Sequence, residues 1–283
     1  MQNYKGAKLR WRLDLTQKGS RPLRNYKGIK RKQGYHQKRI SNGMRYIIMC
    51  GGDYQMWDSP RQLIKINNEP IVERTIRLLH ENGVTDIAIS SDNPAFSNLG
   101  IPVLVHSNNW VVSKDEKSTG FWVDCFYPDY NPACYLFGDV IYSPAAIRKI
   151  VETETDRIEF FASAPPFAPE YIKGHAEPFA FKVTDQVWFR CCIEKVKGLY
   201  MRHNFGRHPI GWELWQVIKG TSLNDIDYTN YTVINDYTVD IDSVKDIDRF
   251  ISKVNITVLD EKWYAEHPHE TGFVKSADKV INK

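Results

Sequence analysis

From residue 44 onward, short apolar runs alternate with segments whose apolar residues recur every three or four positions. The run YIIM at 46–49 is typical of a fully buried strand. The segment PIVERTIRLLHENG at 70–83 places its apolar residues on one face of a helix, and Gly83 is typical of a helix C-terminus. This alternation predicts an α/β fold, a Rossmann-like three-layer α/β/α arrangement with a mostly parallel mixed sheet.

The same alternation continues along the chain. Strands are predicted at VTDIAISS, IPVLVHS, CYLFGDVIYS and RIEFFASA, and helices at TGFWVDCF and PAAIRKIVE. Residues 165–230 are less regular and rich in Pro and aromatic residues, so we expect either a wall of the substrate site or an ordinary lid on the sheet. A helix is predicted near the end of this region, with Trp212 and Trp215 in the core rather than in a stacking platform.

Composition favours a soluble globular protein. The chain has 283 residues, of which 42% are hydrophobic and 25% charged, and no apolar run approaches the length of a bilayer span. Its five cysteines form neither a CxxC pair nor a zinc-binding spacing, which favours reduced thiols in the core. With no signal-peptide pattern at its start, we expect a cytoplasmic protein.

Charge is distributed unevenly between the start of the chain and the rest. Residues 1–43 contain 13 Lys and Arg but one acidic residue, a net charge of +12, and the remaining residues carry −8. We predict a basic N-terminal extension at 1–43, a folded domain at 44–253 and a C-terminal tail at 254–283. The extension is either a solvated tail or, since Tyr and Trp are interleaved with its bases, a contact for nucleic acid.

The stretch CGGDYQMWDSPRQL, 50–63, follows the first predicted strand. A Gly-Gly pair at a strand end lets the backbone approach a ligand closely, and its N–H groups can face an anion. Arg61 supplies a nearby cation that can neutralise phosphate charge. The pattern therefore predicts a phosphate-binding loop at this end of the sheet.

Together with two later segments, this loop resembles the nucleotidyltransferases of the nucleotide-diphospho-sugar transferase fold. YLFGDVIYS is similar to the strand that carries the family's metal-binding Gly-Asp, and YTVDIDSVKDIDRF is similar to its closing Asp-x-Asp strand and helix. In the loop, Tyr54 stands where a further Gly is usual, Met56 where Arg is usual and Arg61 where Lys is usual. The resemblance spans about residues 44 to 252.

The resemblance implies a Mg²⁺ site on Asp139, Asp240 and Asp242, with Asp246 in a helix-capping role. Residues 240 and 242 share one side of a strand, whereas Ile241 faces the other side. Carboxylates about 4 Å apart repel by about 4 kcal/mol at an effective dielectric constant near 20, so such a cluster requires a cation. Oxygen ligands and a phosphate substrate favour Mg²⁺. The alternative is a turn Asp at 139 and solvated acids at a strand end.

The resemblance also assigns roles to individual residues. Arg61 and Asp139 are the predicted catalytic residues. The predicted nucleotide-binding residues are Cys50, Gly51, Gly52, Arg61, Asp92 and Ser118. Asp92 and Ser118 are equally compatible with turn or capping roles. Possible acceptor-binding residues are Glu177, Arg207 and His208.

The expected activity is Mg²⁺-dependent transfer of a nucleotidyl group from a nucleoside triphosphate to a phosphate monoester, with release of pyrophosphate. CTP is favoured, because the closing Asp-Ile-Asp is similar to that of cytidylyltransferases. A sugar phosphate or a phosphocholine-like compound is the expected acceptor, for example in polysaccharide biosynthesis. A nucleotide-sugar-dependent glycosyltransferase and an inactive relative that binds nucleic acid through residues 1–43 are the alternatives.

Overall fold

The computed structural model describes residues 43–242, except Met56, Asn67, Glu116, 164–176, 204–207 and Asp225, together with residue 247. The predicted extension before residue 43, the predicted tail at 254–283 and Asp246 therefore lie outside the described residues. Their boundaries and roles stay predictions.

A seven-stranded sheet forms the centre of the described part of the chain. Its strands, in spatial order, are β13 (Thr232–Ile234), β11 (Ile158–Ser163), β12 (Pro178–Val183), β9 (Ala133–Phe137), β1 (Arg45–Met49), β5 (Ile87–Ser90) and β6 (Val103–Leu104). β12 runs antiparallel to both of its neighbours, and the other pairings in this sheet are parallel. The predicted mixed, mostly parallel sheet is confirmed.

Four α-helices accompany this sheet within the described residues. They are α1 (Ile71–Glu81), α2 (Pro144–Glu152), α3 (Gln186–His203) and α4 (Gly211–Lys219). α1 contacts α2, and α3 contacts α4. Ser143 caps α2 by accepting a hydrogen bond from Ala146 N, and Pro144 begins that helix as predicted. The fold is of the predicted α/β class.

Short strands and turns complete the described structure. One small sheet contains β2 (Asp53–Tyr54), β7 (Val111–Val112) and β8 (Ser118–Thr119). A second pairs β3 (Lys65–Ile66) with β4 (Glu69–Pro70), and a third pairs β10 (Val140–Ile141) with β14 (Val239–Asp240). Single 3₁₀ turns cover Arg61–Leu63, Pro94–Phe96 and Trp122–Cys125.

Aromatic side chains fill much of the core beside β11 and β12. Phe160 and Phe181 stack with ring centroids 4.4 Å apart, and Trp212 of α4 meets Phe160 edge-on at 4.9 Å. Trp212 is fully buried and Trp215 nearly so. The prediction that both tryptophans belong to the core is confirmed.

Three sequence-based expectations about elements were wrong. The predicted helix TGFWVDCF contains only the 3₁₀ turn Trp122–Cys125. The single strand predicted for CYLFGDVIYS is two strands, β9 and β10, because the chain breaks at Gly138 and Asp139. The region 165–230, expected to be irregular before a helix near its end, supplies the interior strand β12 and the 18-residue helix α3.

Cysteine and membrane expectations can be compared with the described residues. The five thiols are free, and all but Cys191 are buried. Among the described helices, none combines the length and apolar character that crossing a membrane requires.

Candidate functional site

The site begins at the carboxyl end of β1, where the Gly51-Gly52 loop follows the buried Cys50. Cys50 N donates a hydrogen bond to Ser90 O at 2.9 Å, and Ser91 Oγ donates to Cys50 O at 2.7 Å. A Cβ at position 51 would lie 3.1 Å from Cβ of Asn108, and Gly52 has a φ of 87°. The backbone conformation favours glycine at position 52, and the close approach of Asn108 leaves little room for a side chain at position 51.

The chain break between β9 and β10 positions Asp139. A Cβ at Gly138 would lie 2.5 Å from Met49 O and 2.7 Å from Cys50 Sγ, so only glycine fits between these groups. Gly138 N donates to Met49 O at 3.0 Å, which ties the end of β9 to the end of β1. This contact places Asp139 beside the Gly51-Gly52 loop.

The short antiparallel pair of β10 and β14 brings the closing segment to the same place. Val140 pairs with Asp240, and Ile241 N donates to Asp139 O at 3.1 Å. Ile241 is fully buried, whereas Asp240 and Asp242 line a cavity of about 260 Å³ together with Asp139. Three acidic side chains that are far apart in the chain thus meet in one cavity.

Arg61 lies among these carboxylates. Its guanidinium donates to Asp139, to Asp242 Oδ1 at 3.2 Å and to Ile241 O at 2.7 Å. Its carbon Cζ lies 3.6 Å from the centre of the Tyr54 ring. Only 4% of Arg61 is exposed. The cation that the sequence assigned to phosphate is therefore paired with the predicted metal ligands.

Burial and mutual repulsion determine the protonation of the cluster. Burial raises the pKa of Asp240 well above its usual range, Asp139 and Asp242 raise it further, and Arg61 opposes them. Burial also raises the pKa of Asp139, against the lowering effect of Arg61. Although burial disfavours the charged form of Arg61, the neighbouring carboxylates, Asp139 first, raise its pKa. The guanidinium is thus a permanent cation beside three carboxyl groups, and burial favours the protonated form of Asp240.

The carboxylate cluster can be tested for its fit to a divalent metal ion. Asp240 Oδ1 is buried and has no hydrogen-bond partner, so it is available to a metal ion. Carboxylate oxygens also suit Mg²⁺ chemically. However, within the described part of the chain no group of three or more His, Cys, Asp or Glu side chains is arranged to hold a metal ion. The carboxylate oxygens are therefore suitable ligands for Mg²⁺. With Arg61 among them, however, the described side chains are not already arranged to bind the ion.

A second cavity, of about 340 Å³, opens over the Gly51-Gly52 loop. It is lined by that loop, by Asp53, Tyr54 and residues 57–62, and by Asp92, Asn93, Phe96 and Asn108. The residues that line both cavities are Gly51, Tyr54, Arg61, Gln62 and Asn108. We call the two the carboxylate cavity and the loop cavity. Among the described residues that line them, Arg61 is the only Lys or Arg.

Of the other predicted site residues, some line one of the two cavities and others do not. Asp92 lies in the loop cavity and Glu177 in the carboxylate cavity. Ser118 lies in β8 and is not among the residues that line either cavity. His208 packs against the rings of Trp110, Phe121 and Tyr200. Arg207 lies outside the described residues.

Cys50 contributes its backbone to the site rather than a reactive thiol. Burial raises the pKa of its thiol well above the usual range, and the nearby Asp139 raises it further. A protonated, fully enclosed thiol is a poor nucleophile. The role left to Cys50 is to hold the start of the loop.

Several lining residues were not predicted from the sequence. Tyr54 stacks on Arg61, and Trp110, Trp122 and Phe137 form an apolar wall of the carboxylate cavity. Asn108 lies against Gly51 and accepts a hydrogen bond from Trp110 N at 2.9 Å. The consecutive Asn108, Asn109 and Trp110, directly after a predicted strand, were the available signal, because such residues at strand ends often line ligand sites.

Comparison with known proteins gives matches among solved structures alone. No protein-family model and no curated protein matches the chain. A proposed glucose-1-phosphate thymidylyltransferase from Bacillus anthracis is 16% identical, with a TM-score of 0.46 over 73% of this chain and 93% of that one.

Two further solved structures show similar values. The inositol-1-phosphate CTP transferase from T. maritima is 15% identical, with a TM-score of 0.43 over 71% of this chain and 90% of that one. HddC from Yersinia pseudotuberculosis is 14% identical, with a TM-score of 0.40 over 73% of this chain and 97% of that one. The chain is thus similar to structures whose names include nucleotidyltransferases.

Proposed function

We propose that this chain is a nucleotidyltransferase that joins a nucleoside triphosphate, with CTP favoured, to a phosphate monoester and releases pyrophosphate. The observation that carries the proposal is the meeting of three distant segments at one end of the sheet. The Gly51-Gly52 loop, Arg61 and the carboxylates of Asp139, Asp240 and Asp242 border two cavities that share a wall. Ligands of open α/β sheets bind at this end of the strands.

The chemistry requires position and charge more than proton transfer. An anionic oxygen of the acceptor phosphate attacks the α-phosphorus, a new P–O bond forms, and the bond to the bridging oxygen of pyrophosphate breaks. The attacking oxygen already carries negative charge, so no general base is needed. The loop cavity, with the backbone N–H groups of Gly51 and Gly52, is the proposed place of the triphosphate.

Mg²⁺ is the proposed cofactor, and Asp139, Asp240 and Asp242 would hold it. When bound, it would supply positive charge to the reacting phosphates. Arg61 contributes a second positive charge, which can stabilise the leaving pyrophosphate. A sugar phosphate or a phosphocholine-like compound is the proposed acceptor, with Glu177 and the aromatic wall of the carboxylate cavity as its surroundings.

The test has two stages. Each of the four nucleoside triphosphates with Mg²⁺ is first screened for thermal stabilisation, which follows affinity, and we expect the largest shift with CTP. The best nucleotide is then combined with a panel of phosphate monoesters, and pyrophosphate release is measured. Absence of any nucleotide-dependent shift, or of pyrophosphate with every ester, contradicts the proposal.

The Asp139→Ala variant tests the site assignment. We expect at least about a thousandfold loss of pyrophosphate release, because the variant removes a proposed ligand of the metal ion and a partner of Arg61. The matched control is Asp156→Asn at an exposed position, which should keep full activity. Near-normal turnover by Asp139→Ala would contradict the assignment.

A further inference from the structure

The guanidinium of Arg61 lies among the carboxylates that were predicted to bind a metal ion. It contacts Asp139 and Asp242, two of the three clustered carboxylates, and a backbone carbonyl between Asp240 and Asp242. The third carboxylate, Asp240, keeps a buried oxygen without a partner. One guanidinium therefore pairs with two of the three carboxyl groups and leaves an oxygen of the third without a partner.

Arg61 also lies at the boundary between the two cavities, since it lines both of them. A change of side-chain conformation can thus move its charge from the carboxylates toward the loop cavity. The stacked Tyr54 ring, which lines both cavities too, holds the present position. The loop cavity itself is bordered by Asp53, Asp58 and Asp92, and no described Lys or Arg other than Arg61 lines it. A triphosphate there would need the charge of Arg61.

We propose that Arg61 and a divalent cation are alternative occupants of the same carboxylate cluster. Without metal, the guanidinium binds Asp139 and Asp242; when an ion binds these carboxylates, Arg61 is released to the phosphates in the loop cavity. Metal and nucleotide then bind with positive coupling, and the factor is the same in both directions. The identity of the two ligands rests on the proposed function.

One consequence is that removing the positive charge of Arg61 should strengthen metal binding, because the ion then has no guanidinium to displace. The test is isothermal titration of Mn²⁺, without nucleotide, into wild type, Arg61→Gln and Arg157→Gln. We expect Arg61→Gln to bind Mn²⁺ at least about tenfold more tightly, since it removes both a competing cation and a like charge. Arg157→Gln, at an exposed ion pair far along the chain, should match wild type. Equal or weaker Mn²⁺ binding by Arg61→Gln overturns the proposal.

Tyr54→Leu keeps the proposal testable if Arg61→Gln does not fold. This variant retains the guanidinium and all three carboxylates but removes the stacked ring that fixes Arg61. We expect about threefold tighter Mn²⁺ binding, in the same direction as for Arg61→Gln and smaller. Unchanged or weaker binding in Tyr54→Leu counts against the proposal.

Coupling provides the second readout. In wild type, Mn²⁺ should raise nucleotide affinity and nucleotide should raise Mn²⁺ affinity by the same factor, whereas in Arg61→Gln the factor should fall toward that expected from direct metal–phosphate contact. Failure of the proposed function has a different signature. A chain that shows no nucleotidyl transfer, but tighter Mn²⁺ binding in Arg61→Gln, retains the exchange; active transfer with unchanged Mn²⁺ affinity contradicts it.

Discussion

Arg61 and Lys182 are both buried cations, 4% and 6% exposed, but they are held by different partners. Lys182 Nζ donates to three backbone carbonyls at the end of α2: Ile150 O at 3.0 Å, Val151 O at 3.0 Å and Thr153 O at 2.6 Å. Arg61 is held chiefly by the carboxylates of Asp139 and Asp242. One cation thus closes a helix end, and the other lies in a cavity.

The two sites differ in whether another positively charged group or a proton can replace the side chain. Carbonyls at a helix C-terminus carry partial negative charge, and the fold provides Lys182 as their partner. Carboxylates can instead be neutralised by a proton or by a metal ion. We therefore interpret Lys182 as a structural cation and Arg61 as an exchangeable one.

The largest expected effect on stability is at Lys182. Lys182→Met should lower the free energy of unfolding by about 3 kcal/mol, because three charge-assisted hydrogen bonds to backbone carbonyls at the end of α2 are lost. Urea denaturation measures the change, with Lys195→Met at an exposed position of α3 as the control. A loss below about 1 kcal/mol would mean that water replaces the ammonium group.

Arg61→Gln should reduce the free energy of unfolding by about 2 kcal/mol at pH 8, where the carboxylates lose their counter-charge. Arg61 lowers the pKa of Asp139, so its removal raises that pKa further above the unfolded value. A carboxyl with a raised folded pKa contributes stability at low pH that is lost as the pH rises. The deficit should therefore shrink toward pH 5, whereas that of Lys182→Met should not; urea melts from pH 5 to 8 distinguish them.

Asp240→Asn should have the opposite sign, a gain of about 1 kcal/mol at pH 8. The pKa of Asp240 is raised by burial and by Asp139, Asp242 and Glu177, against Arg61, so its ionisation at high pH destabilises the fold. The gain should vanish at acidic pH, where the carboxyl is already protonated. Asp156→Asn is the exposed control, and a destabilised Asp240→Asn at pH 8 would refute the idea that this charge is held at a cost.

The smallest effect is expected at an exposed ion pair. Arg157 donates to Asp185 at 2.9 Å, but its side chain is 59% exposed. Arg157→Gln should change the free energy of unfolding by less than about 1 kcal/mol, and added salt should reduce the effect further. A larger loss would extend the group of structural cations beyond Lys182.

Periodicity and motif order predicted much of the fold and the chemistry of the site. The buried run of β1, the amphipathic α1 and the proline that begins α2 each follow from local rules. The family resemblance implied that Asp139, Asp240 and Asp242 share one site, strand alternation placed residues 240 and 242 on one side, and the structure brings all three to one cavity.

The features that were not predicted from the sequence depend on tertiary contacts. β12 begins at Pro178 and α3 carries apolar residues on several sides, so neither has a clear period. The break at Gly138 depends on the approach of Met49, which is distant in sequence. The pairing of Arg61 with its own predicted metal ligands depends on side-chain geometry, which no spacing rule contains.

The pairing of β10 with β14 has a consequence for biosynthesis. Val140 and Asp240 are a hundred residues apart, so the ladder cannot form until the last part of the described chain has left the ribosome. A nascent chain that ends before residue 239 would have the glycine loop and Asp139, but neither Asp240 nor Asp242. The proposed ion-binding capacity should therefore arise in a single late step of translation, together with the edge strand β13 of the central sheet.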